Sequence, residues 1–232
     1  ALNLNTNGIS NVAIGANALE KGRGIFNHFN VAVGVQALQN DSTSFGGNTG
    51  IGFQAGMNNS GGSNNFYGGF ITARTMASGN DNTVIGSSAM QNHISGDSNV
   101  VIGTKAMGTS IGLKKGNYNT AMGFEALFSN DTSSNTGIGY RSLRSVTNGA
   151  GNTAIGINSG NNLTTGTDNT FVGASTQAAS GSLTNATAIG YQAAVAQNNS
   201  IVLGSINSVN GASATVNVGI GTNTPDARLH IV

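Results

Sequence analysis

Few side chains in this 232-residue chain are suited to acid–base or metal chemistry, so their spacing is the first thing to test. The carboxylates are Glu20, Asp41, Asp81, Asp97, Glu125, Asp131, Asp168 and Asp226, and the histidines are His28, His93 and His230. Glycoside hydrolysis needs two carboxyl groups facing each other across a cleft, one of them with a raised pKa. These acids are dispersed, and only Asp81 and Asp97, in "GNDN" and "GDSN", stand at nearly matching places. Asp beside Gly and Asn favours turns, and turn chemistry is the reading for both. The histidines are far apart without metal-ligand spacing, so each is expected on the surface or in a loop. The absence of cysteine excludes thiolate metal sites and disulfides. "GGNTG" (46–50) lacks the period and the Asp of a calcium-binding roll, and "GIGTNT" (219–224) lacks the strand–loop–helix setting of a phosphate loop. No serine is singled out as a nucleophile. The expectation is no catalytic residue, no metal site and no cofactor.

The elements that would have to position such residues are unusual. Only 7% of the chain is charged, against about 25% in an ordinary domain. Glycine supplies 36 residues, asparagine nearly as many, and proline one. A net charge of +1 gives no field for nucleic acid or an anionic membrane, and no apolar run reaches the roughly 20 residues of a membrane span. Disorder combines low hydrophobicity with high charge, whereas 38% of this chain is hydrophobic and recurs periodically.

The period is visible in "GNTAIGINSGNNLTTGTDNTFVG" (151–173), where Asn152-Thr-Ala-Ile-Gly156 returns as Asn169-Thr-Phe-Val-Gly173. Aligned on that glycine, the chain has thirteen anchors: Gly15, Gly34, Gly52, Gly69, Gly86, Gly103, Gly123, Gly139, Gly156, Gly173, Gly190, Gly204 and Gly221. An aliphatic residue precedes all but Gly69, and Asn stands four places before eleven of them. A small residue lies three after most anchors, often followed by Leu or Met.

A 17-residue unit cannot bury a core alone, but stacked units can. The predicted fold is all-β, a parallel β-solenoid of about 17 residues per coil over 1–221, with 222–232 a connector to a further domain. The phrase alternates with period two, as a strand does. Ile14, Val33, Ile85, Ile155 and Ile189 are expected to form one buried ladder. The threonines Thr49, Thr83, Thr120, Thr136, Thr153, Thr170 and Thr187 share that face and are expected inside with them. Glycine ends each strand, and asparagine is expected at the corner, tolerating left-handed backbone and laddering its amide. The opposite, small-residue face is expected to pack against another copy of the chain.

"NTAIG", "NATAIGYQA" (185–193) and "NNSIVLG" (198–204) resemble the head repeats of trimeric autotransporter adhesins. "NTAMGFEAL" (119–127) and "VGIGTNTPDARLHIV" (218–232) resemble bacteriophage-type tail fibres, in which a similar segment precedes a self-cleaving trimerisation chaperone. The resemblance covers nearly the whole chain, although the period is longer than in adhesin heads. It implies a left-handed β-roll wound as an elongated homotrimer, and an extracellular place on a virion tail, an injection-system fibre or a bacterial surface.

Recognition is expected where the repeat is interrupted, since binding residues collect on loops of a regular scaffold. "GRGIFNHFN" (22–30) offers Phe26, His28 and Phe29, "NNFYGGF" (64–70) offers Phe66 and Tyr67, and "TSIGLKKGNYN" (109–119) offers Lys114, Lys115 and Tyr118. Set against this, Phe26 and Phe66 are expected to fold inward and fill gaps, and Lys114-Lys115 to be a solvated loop. Phe53, Phe70, Phe124, Tyr140 and Tyr191 share the column after the glycine and are expected to be packing. The functional expectation is a non-enzymatic fibre or adhesin module binding a cell-surface glycan or similar receptor. The alternatives are a polysaccharide-active β-helix enzyme of tailspike type and an ice- or mineral-binding solenoid.

Overall fold

The computed structural model describes residues 1–2, 8–21, 28–42, 46–108 and 114–232. Its regular elements are all short strands, and none of the described residues is helical. Twelve strands form one sheet: β1 (Val12–Ile14), β2 (Val31–Val33), β3 (Thr49–Ile51), β4 (Phe66–Gly68), β5 (Thr83–Ile85), β7 (Val100–Ile102), β9 (Thr120–Met122), β10 (Thr136–Ile138), β11 (Thr153–Ile155), β12 (Thr170–Val172), β14 (Ala186–Ile189) and β16 (Ser200–Leu203). Between them run the short pairs β6 (His93–Ser95) with β8 (Lys114–Lys115) and β13 (Gln177–Ala178) with β15 (Ala194–Val195). After the last anchored coil, β17 (Val218–Ile220) pairs β18 (Leu229–Ile231) outside the main sheet, and Gly221 follows β17.

Every pairing in the main sheet is parallel and holds one register. Thr136 lies beside Thr153, Gly137 beside Ala154 and Ile138 beside Ile155. Each sequence column is thus a physical column, and the chain is a parallel β-solenoid with about 17 residues per coil. The anchor glycines are demanded twice over. Gly156 has φ +133°, and a Cβ there would lie 2.6 Å from the Gly173 carbonyl oxygen of the next coil.

The two faces of the strand are the reverse of the sequence expectation. Ile14 is 61% exposed, Ile85 39%, Ile155 42% and Ile189 41%, and Val33 is only half-buried. The seven threonines stand with them on the outer face, half-exposed. Inside lies the small-residue column, with Ala32, Ala121, Ala154 and Ala188 fully buried. That column is core and is not available to a second chain. The reason is thickness. The opposite wall of each coil already points Leu19, Leu38, Met90, Met107, Leu127 and Leu143 into the interior. A Cβ on Gly137 would come within 3.1 Å of Leu127 Cγ, so the strand's inward positions have room for little more than alanine.

Val84 and Val101 are modest exceptions, and the two aromatic ones are compensated. Tyr67 and Phe171 are fully buried on the strand side. The residues facing them from the preceding coil, in the column that holds Leu or Met at Leu19, Leu38, Met90, Met107, Leu127 and Leu143, are Gly56 and Gly160. A Cβ on Gly160 would lie 2.8 Å from Leu143 Cδ2 and 2.9 Å from Phe171 Cδ2. Gly56 and Gly160 have φ near +60°, but Leu38 and Leu143 adopt the same left-handed conformation. The glycines are there for space.

That left-handed residue belongs to a recurring pattern. The second and fourth residues after most anchors have positive φ, as in Gln36 and Leu38, Ser88 and Met90, and Arg141 and Leu143. A left-handed non-glycine residue costs about 1–2 kcal/mol. The conformation aims amides along the rod, where Gln36 N–H donates to Ala16 O at 2.9 Å and Leu38 N–H to Ala55 O at 2.9 Å. These inter-coil bonds offset the strain.

The asparagines form a buried ladder, as expected, although they do not themselves take the left-handed conformation. The residue before each does, including Phe29, Asp81, Tyr118 and Asp168. Asn152 shows the rung. Its Oδ1 accepts the Asn169 backbone N–H at 3.0 Å and side-chain N–H at 2.9 Å, while its Nδ2 donates to Asn135 Oδ1 and to Gly166 O. The ladder ends where the column becomes alanine, with Ala186 N–H donating to Asn169 Oδ1.

Candidate functional site

The outward sheet face is the most extensive candidate. Two columns run along it, mostly threonine or valine on one side, with Phe66 and Ile201, and isoleucine, valine, leucine or methionine on the other, with Gly68, and there is no charged residue in any of the twelve strands. Eleven spacings of about 4.8 Å make it roughly 53 Å long. Beside it, in the column after the glycines, stand Phe53, Phe70, Phe124, Tyr140 and Tyr191. These are 37–66% exposed, so they are surface groups and not the packing that was expected. Phe53 stacks on Phe70 with ring centroids 5.3 Å apart, and Phe124 on Tyr140 at 5.5 Å.

Arg141 lies 4.9 Å above the Tyr140 ring, and its Nε donates to Glu125 Oε2 at 2.9 Å. Arg144, 5.2 Å from the Phe128 ring, donates to the same oxygen at 2.7 Å. Burial alone would raise the Glu125 carboxyl, but hydrogen bonds from Arg144 and Arg141 outweigh it and hold the pKa below the ordinary value. Sequence reasoning passed over this cluster, although Glu125, Arg141 and Arg144 lie one coil apart.

The residues proposed from the irregular coils do not converge. Phe26 lies outside the described residues. Phe29 and Tyr118 occupy the left-handed corner position of their coils and are each 64% exposed. His28 packs edge-on against Phe29 at 5.9 Å and accepts the Ile9 N–H on Nδ1 at 2.9 Å. Phe66 stands in the outer threonine column, 36% exposed, so it does not fold inward. Tyr67 is its inward neighbour and is fully buried, which removes it from any binding surface. Lys114 and Lys115 are strand residues, with Lys114 Nζ 3.6 Å from Asp131 Oδ2 and Lys115 N–H donating to Asp131 Oδ1.

Two titratable groups lie inside the coil. His93 is fully buried, contrary to its expected surface place, at the start of β6, where it pairs in parallel with Lys114 of β8. Neither of its ring nitrogens has a hydrogen-bond partner among the described residues, and burial lowers its pKa to about 4. Asp41 is buried against Asn48 and Asn59, whose Nδ2 groups donate to its Oδ1, and burial raises its pKa to about 7. Among the described residues no three His, Asp or Glu gather in a cluster fit for a metal ion.

These features place the chain in the class of parallel β-solenoids with one apolar, uncharged outer face. Compared with known proteins, it matches no family model, no curated protein and no solved structure.

Proposed function

We propose that the chain is a non-enzymatic module of an attachment fibre or adhesin, assembled as an elongated homotrimer through its outward Thr-x-aliphatic face. The exposed face itself is the observation that carries this reading. The strip between its two columns covers roughly 350 Å² before side-chain width is added, and contiguous apolar patches of several hundred Å² mark interaction sites. A straight face on a rod suits copies arranged around an axis parallel to the rod. The number three, the extracellular setting and the surface receptor come from the resemblance to adhesin heads and tail fibres. The carboxylates support a non-catalytic role, because Glu125 is clamped by two arginines, Asp131 pairs with Lys114, and Asp97 Oδ1 accepts the Asn80 N–H of the neighbouring coil.

Light scattering at micromolar concentration tests the assembly. The expected mass is three times the 23.2 kDa chain, falling to a monomer when Ile138, Ile155 and Val172 are all replaced by Glu. A monomeric wild-type protein would sink the trimer.

A second reading is favoured by the same face. The threonine column is outside and in register along the rod, which presents hydroxyl and methyl groups as a regular lattice of the kind an ice surface matches. Assembly and ice binding need the same side chains, so they exclude each other. A monomer producing thermal hysteresis, lost in Thr136→Lys/Thr170→Lys, would replace the fibre by the ice-binding solenoid.

A further inference from the structure

A polar concavity lies away from both the aromatic corners and the outer sheet face. It is a groove of about 460 Å³ running along the corner that precedes the asparagine ladder, across five successive coils from Gly61 to Ser133. Its polar lining comes from Ser78, Asn80, Asp97, Lys115, Asn117 and Ser133, and its floor from glycines of the same corners. No aromatic or aliphatic side chain lines it.

A second hydrogen-bond ladder sets these side chains. Asn80 Oδ1 accepts the Ser63 N–H at 2.9 Å, Asp97 Oδ1 the Asn80 N–H at 2.8 Å, Asn117 Oδ1 the Asp97 N–H at 2.8 Å and Ser133 Oγ the Asn117 N–H at 3.1 Å. Each residue commits one oxygen to the fold, and Asn80 Nδ2 also donates to Asp97 Oδ1 at 3.3 Å. Asp97 Oδ2, Asn117 Nδ2 and the Lys115 ammonium have no partner among the described residues. A free carboxylate oxygen on one coil thus lies beside a free amide donor and a free ammonium on the next.

We infer that this groove is a binding site for a neutral hexose oligosaccharide lying along the rod. An apolar peptide or a lipid finds no apolar wall. A polyanion meets the Asp97 carboxylate, and the single ammonium balances that charge without exceeding it. A chain of hexoses offers donors and acceptors in equal measure on every ring. Its hydroxyls can donate to the free Asp97 Oδ2 and to the Asn117 side-chain carbonyl, and accept from the free amide and ammonium groups. Successive rings advance by about one coil spacing. The inference rests on the attachment reading for its biological setting, while the groove's chemistry stands by itself.

The test uses the full chain with maltohexaose, cellohexaose and mannohexaose as probes, and hexagalacturonate as the acidic control, titrated by NMR. Asp97→Asn keeps the oxygen that caps Asn80 but turns the free acceptor into a donor. Lys115→Gln removes the ammonium and leaves the backbone bond to Asp131 intact. Binding of at least one neutral hexaose, weakened about tenfold by either substitution with the unfolding temperature unchanged, is the expected result. Failure of all three hexaoses to bind at 10 mM or tighter overturns the site (about 10 mM being the weak end of measurable affinity), as does binding that both variants retain in full. A preference for hexagalacturonate overturns the neutral class. Attachment to cells separates the two claims. If wild type and both variants attach equally, the groove is not the receptor site and the attachment reading survives. If a hexaose binds as expected but the wild-type protein attaches to no cell bearing that glycan, the groove stands and the attachment reading falls.

Discussion

The pairs Tyr67 with Gly56 and Phe171 with Gly160 show how tightly single residues are specified in a coil one side chain thick. Gly160→Leu restores the residue usual in its column but collides with the Phe171 ring, and overpacking of this kind costs about 1–3 kcal/mol. Phe171→Ala alone should cost about 3–5 kcal/mol. Together the two changes rebuild an ordinary coil, so denaturant unfolding of the double variant should show a cost well below the sum. Additive losses would mean that the two side chains do not share one space. Phe29→Ala and Tyr118→Ala, at exposed corners, should change stability by less than about 0.5 kcal/mol, whereas Tyr67→Ala should cost about 3–5 kcal/mol. His93 gives a pH signature. Its folded pKa of about 4 lies below the ordinary 6.5, so the unfolded chain takes up a proton first. Its contribution is intact above about pH 6.5 and is lost as pH falls toward 4, by up to about 1.4 kcal/mol per pH unit. Asp41 slopes the other way, since its raised pKa stabilises the fold below about 4 and that stabilisation is lost as pH rises through about 7. The two slopes oppose each other between about 4 and 6.5. His93→Leu should therefore leave a protein whose stability rises on acidification over that window, and no difference from wild type would show that His93 is solvated.

At the scale of the coil, the asparagine ladder is the element most exposed to mutation. Asn152→Ala strands the Asn169 backbone N–H and side-chain amide above it and the Gly166 carbonyl beside it. At about 1–3 kcal/mol for each buried group left unpaired, the loss should exceed 3 kcal/mol. A Tm shift no larger than that of a surface substitution would show that water replaces the amide. This ladder, the glycine anchors and the period were legible in the sequence because each is a one-residue requirement repeated in register, and the solenoid followed from them. The orientation of the strand was not legible. Period two separates two faces without saying which is inside, and the larger hydrophobic column was assigned to the core by hydrophobicity alone. The deciding quantity was the width of the interior. That is set by Leu38, Leu127 and their equivalents on the opposite wall, which lie well outside the strand segment they face. One sequence clue existed: glycine opposite an inward Tyr or Phe. The groove was also invisible from sequence, because Asn80, Asp97, Asn117 and Ser133 differ in type and occupy one line only once the coils are stacked. Of the proposed binding residues, Lys115 alone lines it, while Phe29 and Tyr118 stand at separate corners.

For the molecule as a whole, the consequence of the solenoid is that stability and shape are built in units of one coil. Each unit contacts only its neighbours, so stability is close to a sum of coil and interface contributions. Residues 157–173 make a unit that carries its own compensation, since both Gly160 and Phe171 fall within it. Excising these 17 residues joins Gly156 to Ala174 and brings β11 directly beside β14. Thr153 then meets Thr187, Ala154 meets Ala188, and Asn152 Oδ1 accepts the Ala186 N–H in place of Asn169 Oδ1. Every column continues, and the outward Thr-x-Ile face loses one rung without a break. The shortened chain should keep its strand signal by circular dichroism. Its midpoint should fall by no more than a few degrees, and small-angle scattering should show a rod shorter by about 5 Å. It should also retain the oligomeric mass ratio of the parent, because the assembly face is repeated and not localised. Excising only 157–164 leaves a coil of about nine residues, too short to close one turn, so the asparagine, glycine and strand columns cannot all continue into the next coil. That variant should be aggregated or unfolded. If both deletions behave alike, the coils are not interchangeable units, and folding depends on some contact longer in range than one turn of the rod.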